Sequence, residues 1–159
     1  MNGPLLRRMW PLALVLVVTL ADGVLAQKKA EGAVAPYTIS SVKVIPYDRA
    51  TDSFSDEIPV ENDGFLNELD TSLFVKVEIS GAPGEIASEP RMARVTVREG
   101  AKRIVAHDTL IGILNEKGKY YAPVWVYGPL CDTVTIEVSI VGQAKPATVK
   151  RTIRFNCGE

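Results

Sequence analysis

Apolar and polar residues alternate with period two along most of the chain beyond residue 36. That spacing sends successive side chains to opposite faces of an extended segment, so it predicts half-buried β-strands rather than helices. The clearest segment is 71–80 (TSLFVKVEIS), where Leu73, Val75, Val77 and Ile79 share one face. Residues 37–46 (YTISSVKVIP) alternate in the same way. So does RMARVTVR, with Ala93, Val95 and Val97 inward and Arg94, Thr96 and Arg98 outward. Glu99-Gly100 reads as a hairpin turn into KRIVAHDTLIGIL, and NEKG (115–118) as the turn into KYYAPVWVY. Segments 132–141 and 148–156 flank GQAKP, and 64–70 (GFLNELD) reads as one short helical turn. The pattern predicts an all-β fold, an antiparallel immunoglobulin-like β-sandwich of about seven to eight strands.

Composition sharpens this. Past residue 26, Val and Ile together number 26 against six Leu. β-Branched side chains are stiff at χ1 and pack well on a pleated surface, whereas a helical protein would use Leu and Ala.

The first residues carry a different signal. Arg7 and Arg8 precede an apolar run of eleven residues, Pro11 to Ala21. A membrane-spanning helix needs about twenty. Val24-Leu25-Ala26 then offers a signal-peptidase site before Gln27. The expected organisation is a cleavable signal peptide at 1–26, a flexible leader at 27–36 and the β-sandwich domain at 37–159. An uncleaved anchor is the alternative, disfavoured by the shortness of the run. Export places the protein in the periplasm or outside the cell, with no transmembrane span in the mature chain. The lack of an N-x-S/T acceptor suits a bacterial periplasmic or secreted protein.

Cleavage of 26 residues from 159 leaves 133, with net charge −2. An acidic, exported chain is a poor partner for nucleic acid. The only cysteines, Cys131 and Cys157, enter an oxidising compartment, and a single bridge between them is the expected state. No C-x-x-C is present, and the lone His107 cannot complete a zinc site with two cysteines. The inward faces of the last two strands pair only if position numbers sum to an odd value, as for Ile136 opposite Ile153. Cys131 and Cys157 sum to an even one, so a bulge or bend is expected near Pro129 to Asp132.

The chain has no nucleophile elbow, phosphate loop or H-E-x-x-H. Scattered carboxylates leave a small glycan hydrolase as a third reading, but an enzyme is not expected. Three features remain. From Asp48 to Asp70, eight acids face one base. Asp56, Glu57, Glu61 and Asp63 are candidate Ca²⁺ ligands there, against a plain solvated or docked connection; no other cofactor is expected. Arg94, Arg98 and Arg103 form a candidate anion-docking face, against a partly paired solvated one. Tyr120, Tyr121, Trp125 and Tyr127 form a candidate interaction surface on a strand whose Pro123 argues for a sheet edge. Core packing of Trp125 is the competing placement.

The leading expectation is therefore a non-enzymatic binding or envelope-accessory module that recognises a glycan, a peptide or an envelope protein. The alternative is a structural or inhibitory domain presenting loops to a larger secreted protein.

Overall fold

A computed structural model describes residues 36–61, 65–66, 70–84, 86 and 90–155. The expected signal peptide and all of the leader except Pro36 lie outside the described residues, as do Asp63 and Cys157. Nine strands follow one another among the described residues: β1 Thr38–Asp48, β2 Ser53–Phe54, β3 Phe65–Leu66, β4 Thr71–Ser80, β5 Met92–Glu99, β6 Lys102–Leu110, β7 Lys119–Val126, β8 Val134–Val141 and β9 Ala147–Phe155. No helix occurs among them. The helical turn expected at 64–70 is replaced, where described, by the extended pair β3.

The strands form two sheets, ordered β2-β1-β4-β7 and β3-β9-β8-β5-β6. All pairings are antiparallel except β3 beside β9. Each sheet turns one face of its alternating strands toward the other, giving a β-sandwich. Val44, Val75 and Val77 from one sheet and Val95, Ile136 and Val138 from the other lie in the buried core. Each such side chain contributes roughly 1.5–3 kcal/mol on removal from water. β4 occupies the segment expected from its pattern: Leu73, Val75, Val77 and Ile79 are buried behind Thr71 at its start, and β7 pairs in phase throughout, while β1 slips register between Ile39 and Ser41.

Two turns are set by backbone conformation. Glu99 pairs with Lys102, so the β5–β6 turn is Gly100-Ala101, one residue later than the expected Glu99-Gly100. Gly100 has φ +54°, a left-handed conformation, and a Cβ there would lie 2.4 Å from Asp132 Oδ2. At the turn before β7, Asn115 Oδ1 accepts the amides of Lys117 and Lys119 at 3.0 and 2.9 Å. Gly118 has φ +67°, and a Cβ on it would sit 2.3 Å from the carbonyl of Gly81.

The β8–β9 register has the expected odd parity but is displaced by two residues from Ile136–Ile153. Val134 faces Ile153, and Ile136 faces Arg151. A charged residue thus sits in the inward row of β9, only 6% exposed. Its guanidinium donates to the carbonyls of Val42 at 2.8 Å, Ile58 at 2.9 Å and Pro59 at 2.7 Å. Five fixed donors make Arg the side chain suited to converging carbonyls. Burial lowers the Arg151 pKa from its ordinary value.

Those carbonyls belong to β1 and to the chain after β2, which runs along the outer edge of β1. Ser55 N donates to Pro46 O at 3.0 Å and Ile58 N to Val44 O at 2.9 Å. The acidic connection is therefore docked, and Lys43–Glu57 (2.7 Å) and Arg49–Asp70 (3.0 Å) tie it to the domain's own bases.

Beyond β7 the chain bends at Gly128 and Asp132, and the β8 ladder starts only at Val134. Cys131 lies in this irregular stretch, where its amide donates to Glu99 Oε1 at 2.7 Å. Cys131 is not a free thiol. With Cys157 outside the described residues, its pairing with Cys131 stands as a proposal.

Candidate interaction surface

β7 is an edge strand, the last of the four-stranded sheet. Pro123, opposite Lys76, has no N–H to offer a further strand. Alternation along β7 sends Ala122, Val124 and Val126 into the core and leaves Tyr121, Pro123 and Trp125 on the outer face, continued by Tyr127. Tyr120 has the opposite parity. It is half-buried against the core, and its hydroxyl donates to Leu110 O at 3.0 Å, so it does not join the other three aromatics.

Trp125 is 37% exposed and Tyr127 74%. Trp125 lies on the outer face because its cross-strand partner, Phe74, occupies the outward row of β4. Their ring centroids are 5.2 Å apart. Tyr47 of β1 meets Trp125 edge-on at 5.5 Å, and Phe54 of β2 lies 5.9 Å from Trp125 and 5.1 Å from Tyr47. Tyr127 lies nearly parallel to Trp125 at 6.4 Å. Five aromatic side chains from four segments thus make one continuous platform across the sheet. Sequence reasoning missed Tyr47, Phe54 and Phe74. Phe74 and Tyr47 were legible as apolar residues in the outward phase of their strands. Phe54 was hidden inside the acidic stretch.

The other half of this outer face is charged. Lys76 Nζ stands 5.6 Å from the Tyr121 ring centroid. Lys119 Nζ pairs with Glu78 at 2.7 Å and reaches Ser80 Oγ at 2.7 Å. Hydrogen bonds from Lys119 and then Ser40 hold the Glu78 carboxyl below its usual range. Beside the platform, Asp48 accepts the Thr51 hydroxyl and the Ala50 amide, which lower its pKa in that order. Tyr47 donates its hydroxyl to Asp52. The platform therefore has a polar rim.

Around the edge of β7 lies a shallow groove of about 470 Å³, lined by Ile104 to His107 of β6, Pro123 to Trp125, and Tyr127. It runs between the two sheets where β6 and β7, both edge strands, face one another. His107 pairs with the inward-facing Val95 and so belongs to the inner row of β6.

The arginines are brought together but not left equivalent. Arg94 is held by a bidentate pair with Asp108, at 2.9 and 2.8 Å. That contact lowers the Asp108 pKa and raises that of Arg94. Arg98 and Arg103 stand directly opposite each other, with no ion pair to either among the described residues.

Of the candidate calcium ligands, Glu57 is paired with Lys43, and Asp56 and Glu61 are exposed. Among the described residues no three potential metal ligands gather. No helix among them is long and apolar enough to cross a membrane. No protein-family model matches the chain, and no curated protein is significantly similar to it.

Proposed function

We propose that this protein is an exported, non-enzymatic binding module that holds a glycan on the aromatic outer face of its four-stranded sheet. The observation that carries the reading is the platform of Tyr47, Phe54, Phe74, Trp125 and Tyr127, left partly open to solvent. Flat rings present an apolar face to the C–H side of a sugar, and a rim of hydroxyls and carboxylates suits its hydroxyl groups. Four of its five rings stand on paired strands, with Tyr127 just beyond β7, which limits the ordering cost of binding. Export is supported by the charged, apolar and small-residue sequence of residues 1–26. An immunoglobulin-like connectivity is supported by the three long strands β1, β4 and β7 in one sheet and β6, β5, β8 and β9 in the other. The reading invokes no cofactor.

Trp125 is the sole tryptophan past residue 26, so the emission of the processed protein reports on the platform alone. Titration against a glycan panel should shift that emission with one or more glycans, and Trp125→Ala should abolish their capture. Emission unmoved by every glycan, together with stoichiometric capture of an envelope protein, would replace this reading with that of a domain presenting itself to a larger secreted protein. Turnover of a bound glycan, lost on changing a single carboxylate to its amide, would make the protein an enzyme instead.

A further inference from the structure

We propose a second binding site, bordering the platform at Trp125: the free edge of β6 takes an extended acidic peptide strand, whose alternate side chains fill the groove between β6 and β7. The argument begins with main-chain chemistry. Among the described residues β6 has one strand partner, β5, and its other edge presents N–H and C=O groups outward, with Leu110 O at its end accepting the Tyr120 hydroxyl. Regular pairing runs from Val105 to Leu110, while a register shift beside Arg98 leaves Ile104 as the extra residue at the turn end. A free edge is blunted in proteins by proline or by charges pointing inward. β7 has its proline, Pro123. β6 has neither from Val105 to Leu110, where the inner row is Val105, His107 and Thr109; its own blunting devices, the Ile104 bulge and Lys102, sit at the turn end.

The groove supplies the second element. An added strand would alternate its side chains between the groove and the outer face of the five-stranded sheet. On the groove side it would meet Ile104, Val105, Val124 and Trp125, so apolar residues fit there.

Charge selects the partner. On the outer face, Arg103 stands beside the edge with Arg98 directly across the ladder, a like-charge opposition that costs stability. Arg94 is already neutralised by Asp108. A carboxylate on the added strand near Arg103 would relieve the opposition. Near Asp108 the same strand should carry a neutral residue. The occupant is thus an acidic, alternating segment with its charge concentrated toward the turn end of β6.

The test uses synthetic ten-residue peptides that alternate valine with a polar residue, glutamate over one half and threonine over the other, with lysine in place of glutamate as the control, followed by amide resonances of the processed protein. The glutamate peptide should shift residues of β6 and bind about tenfold tighter than the lysine peptide at low salt, with the gap narrowing as salt rises. Reversing both charges, Arg98→Glu with Arg103→Glu, should invert the preference. Arg98→Glu alone should raise the melting temperature and weaken glutamate-peptide binding, because Arg103 is then paired internally. N-methylation of alternate peptide amides should abolish binding in one phase and spare it in the other. Equal binding of the two peptides, resonance shifts that avoid β6, or indifference to N-methylation in both phases would each overturn the proposal. Trp125 borders both sites, so peptide binding is read on the β6 amides, and glycan binding on Trp125 emission in the Arg98→Glu/Arg103→Glu double variant, which leaves every platform ring in place.

Discussion

The two flanks of the sandwich are built differently. On one, β1 and β9 are joined across the gap between sheets by Arg151, whose donors reach three main-chain carbonyls, and the chain after β2 lies along the edge of β1. On the other, β6 and β7 leave a groove, and aromatic rings stand on the neighbouring face. A sandwich of two finite sheets has four edges to manage. Here one flank is sealed with a buried charge and the other is left accessible. The accessible β6–β7 side is where we place contact with another molecule.

Breaking the sealed flank should have the largest effect. Arg151→Ala leaves the carbonyls of Val42, Ile58 and Pro59 without their donor. The expected loss is about 3 kcal/mol in urea unfolding, reduced to the extent that water reaches the outermost carbonyl. Arg151→Lys keeps the charge but has no planar fork to reach all three, and should recover only part of the loss. A change under ~1 kcal/mol for the alanine variant would mean that the docked segment, and not the arginine, seals this flank.

The open flank should respond in binding more than in stability. Trp125 sits among other rings yet keeps 37% of its surface exposed. Trp125→Ala should therefore cost about 1–2 kcal/mol from lost ring contacts, short of the ~3–5 kcal/mol of a fully buried tryptophan. A loss in that upper range would make Trp125 a packing residue of the fold.

The contrast between flanks also explains what the sequence made legible. β4 was readable because Leu73, Val75, Val77 and Ile79 mark its inward row, and the edge position of β7 followed from Pro123. Arg151 was not readable. Its parity places it between Val149 and Ile153 on the inward row, but an isolated charge in an alternating strand looks like a break in pattern rather than a buried donor. Its acceptors are main-chain carbonyls more than ninety residues away, which no composition encodes. The candidate site was half legible for a related reason. Trp125 and Tyr127 lie on one strand and its exit, whereas Tyr47, Phe54 and Phe74 reach the same platform only through cross-strand register, and Tyr121, predicted with them, stands apart under Lys76. The arginine face was legible as a group, but the bidentate Arg94–Asp108 pair, which separates Arg94 from its neighbours, depended on the β5–β6 register.

The smallest expected effect concerns acid. The open flank is framed by two carboxylate contacts, Glu78 with Lys119 between β4 and β7, and Asp108 with Arg94 between β5 and β6. Both carboxyls have folded pKa values lowered from ordinary values of 4.5 and 3.8, chiefly by hydrogen bonds from Lys119 and Arg94. A lowered folded value means that the contribution is fully present above the unfolded pKa and is lost as pH falls through the folded one. Stability should thus begin to decline below about pH 4.5, the ordinary value for Glu78, and Glu78→Gln or Asp108→Asn should make that decline shallower. The sealed flank contains Asp48, also lowered, at the end of β1. Its anchoring contact, however, runs from Arg151 to carbonyls that do not titrate in this range. Hydrogen exchange compared between pH 6 and pH 3, corrected for intrinsic rates, should show β6 and β7 losing protection before β8 and β9. Uniform loss across all four strands would mean that the two ion pairs are spectators and that the flanks differ in shape but not in how they are held.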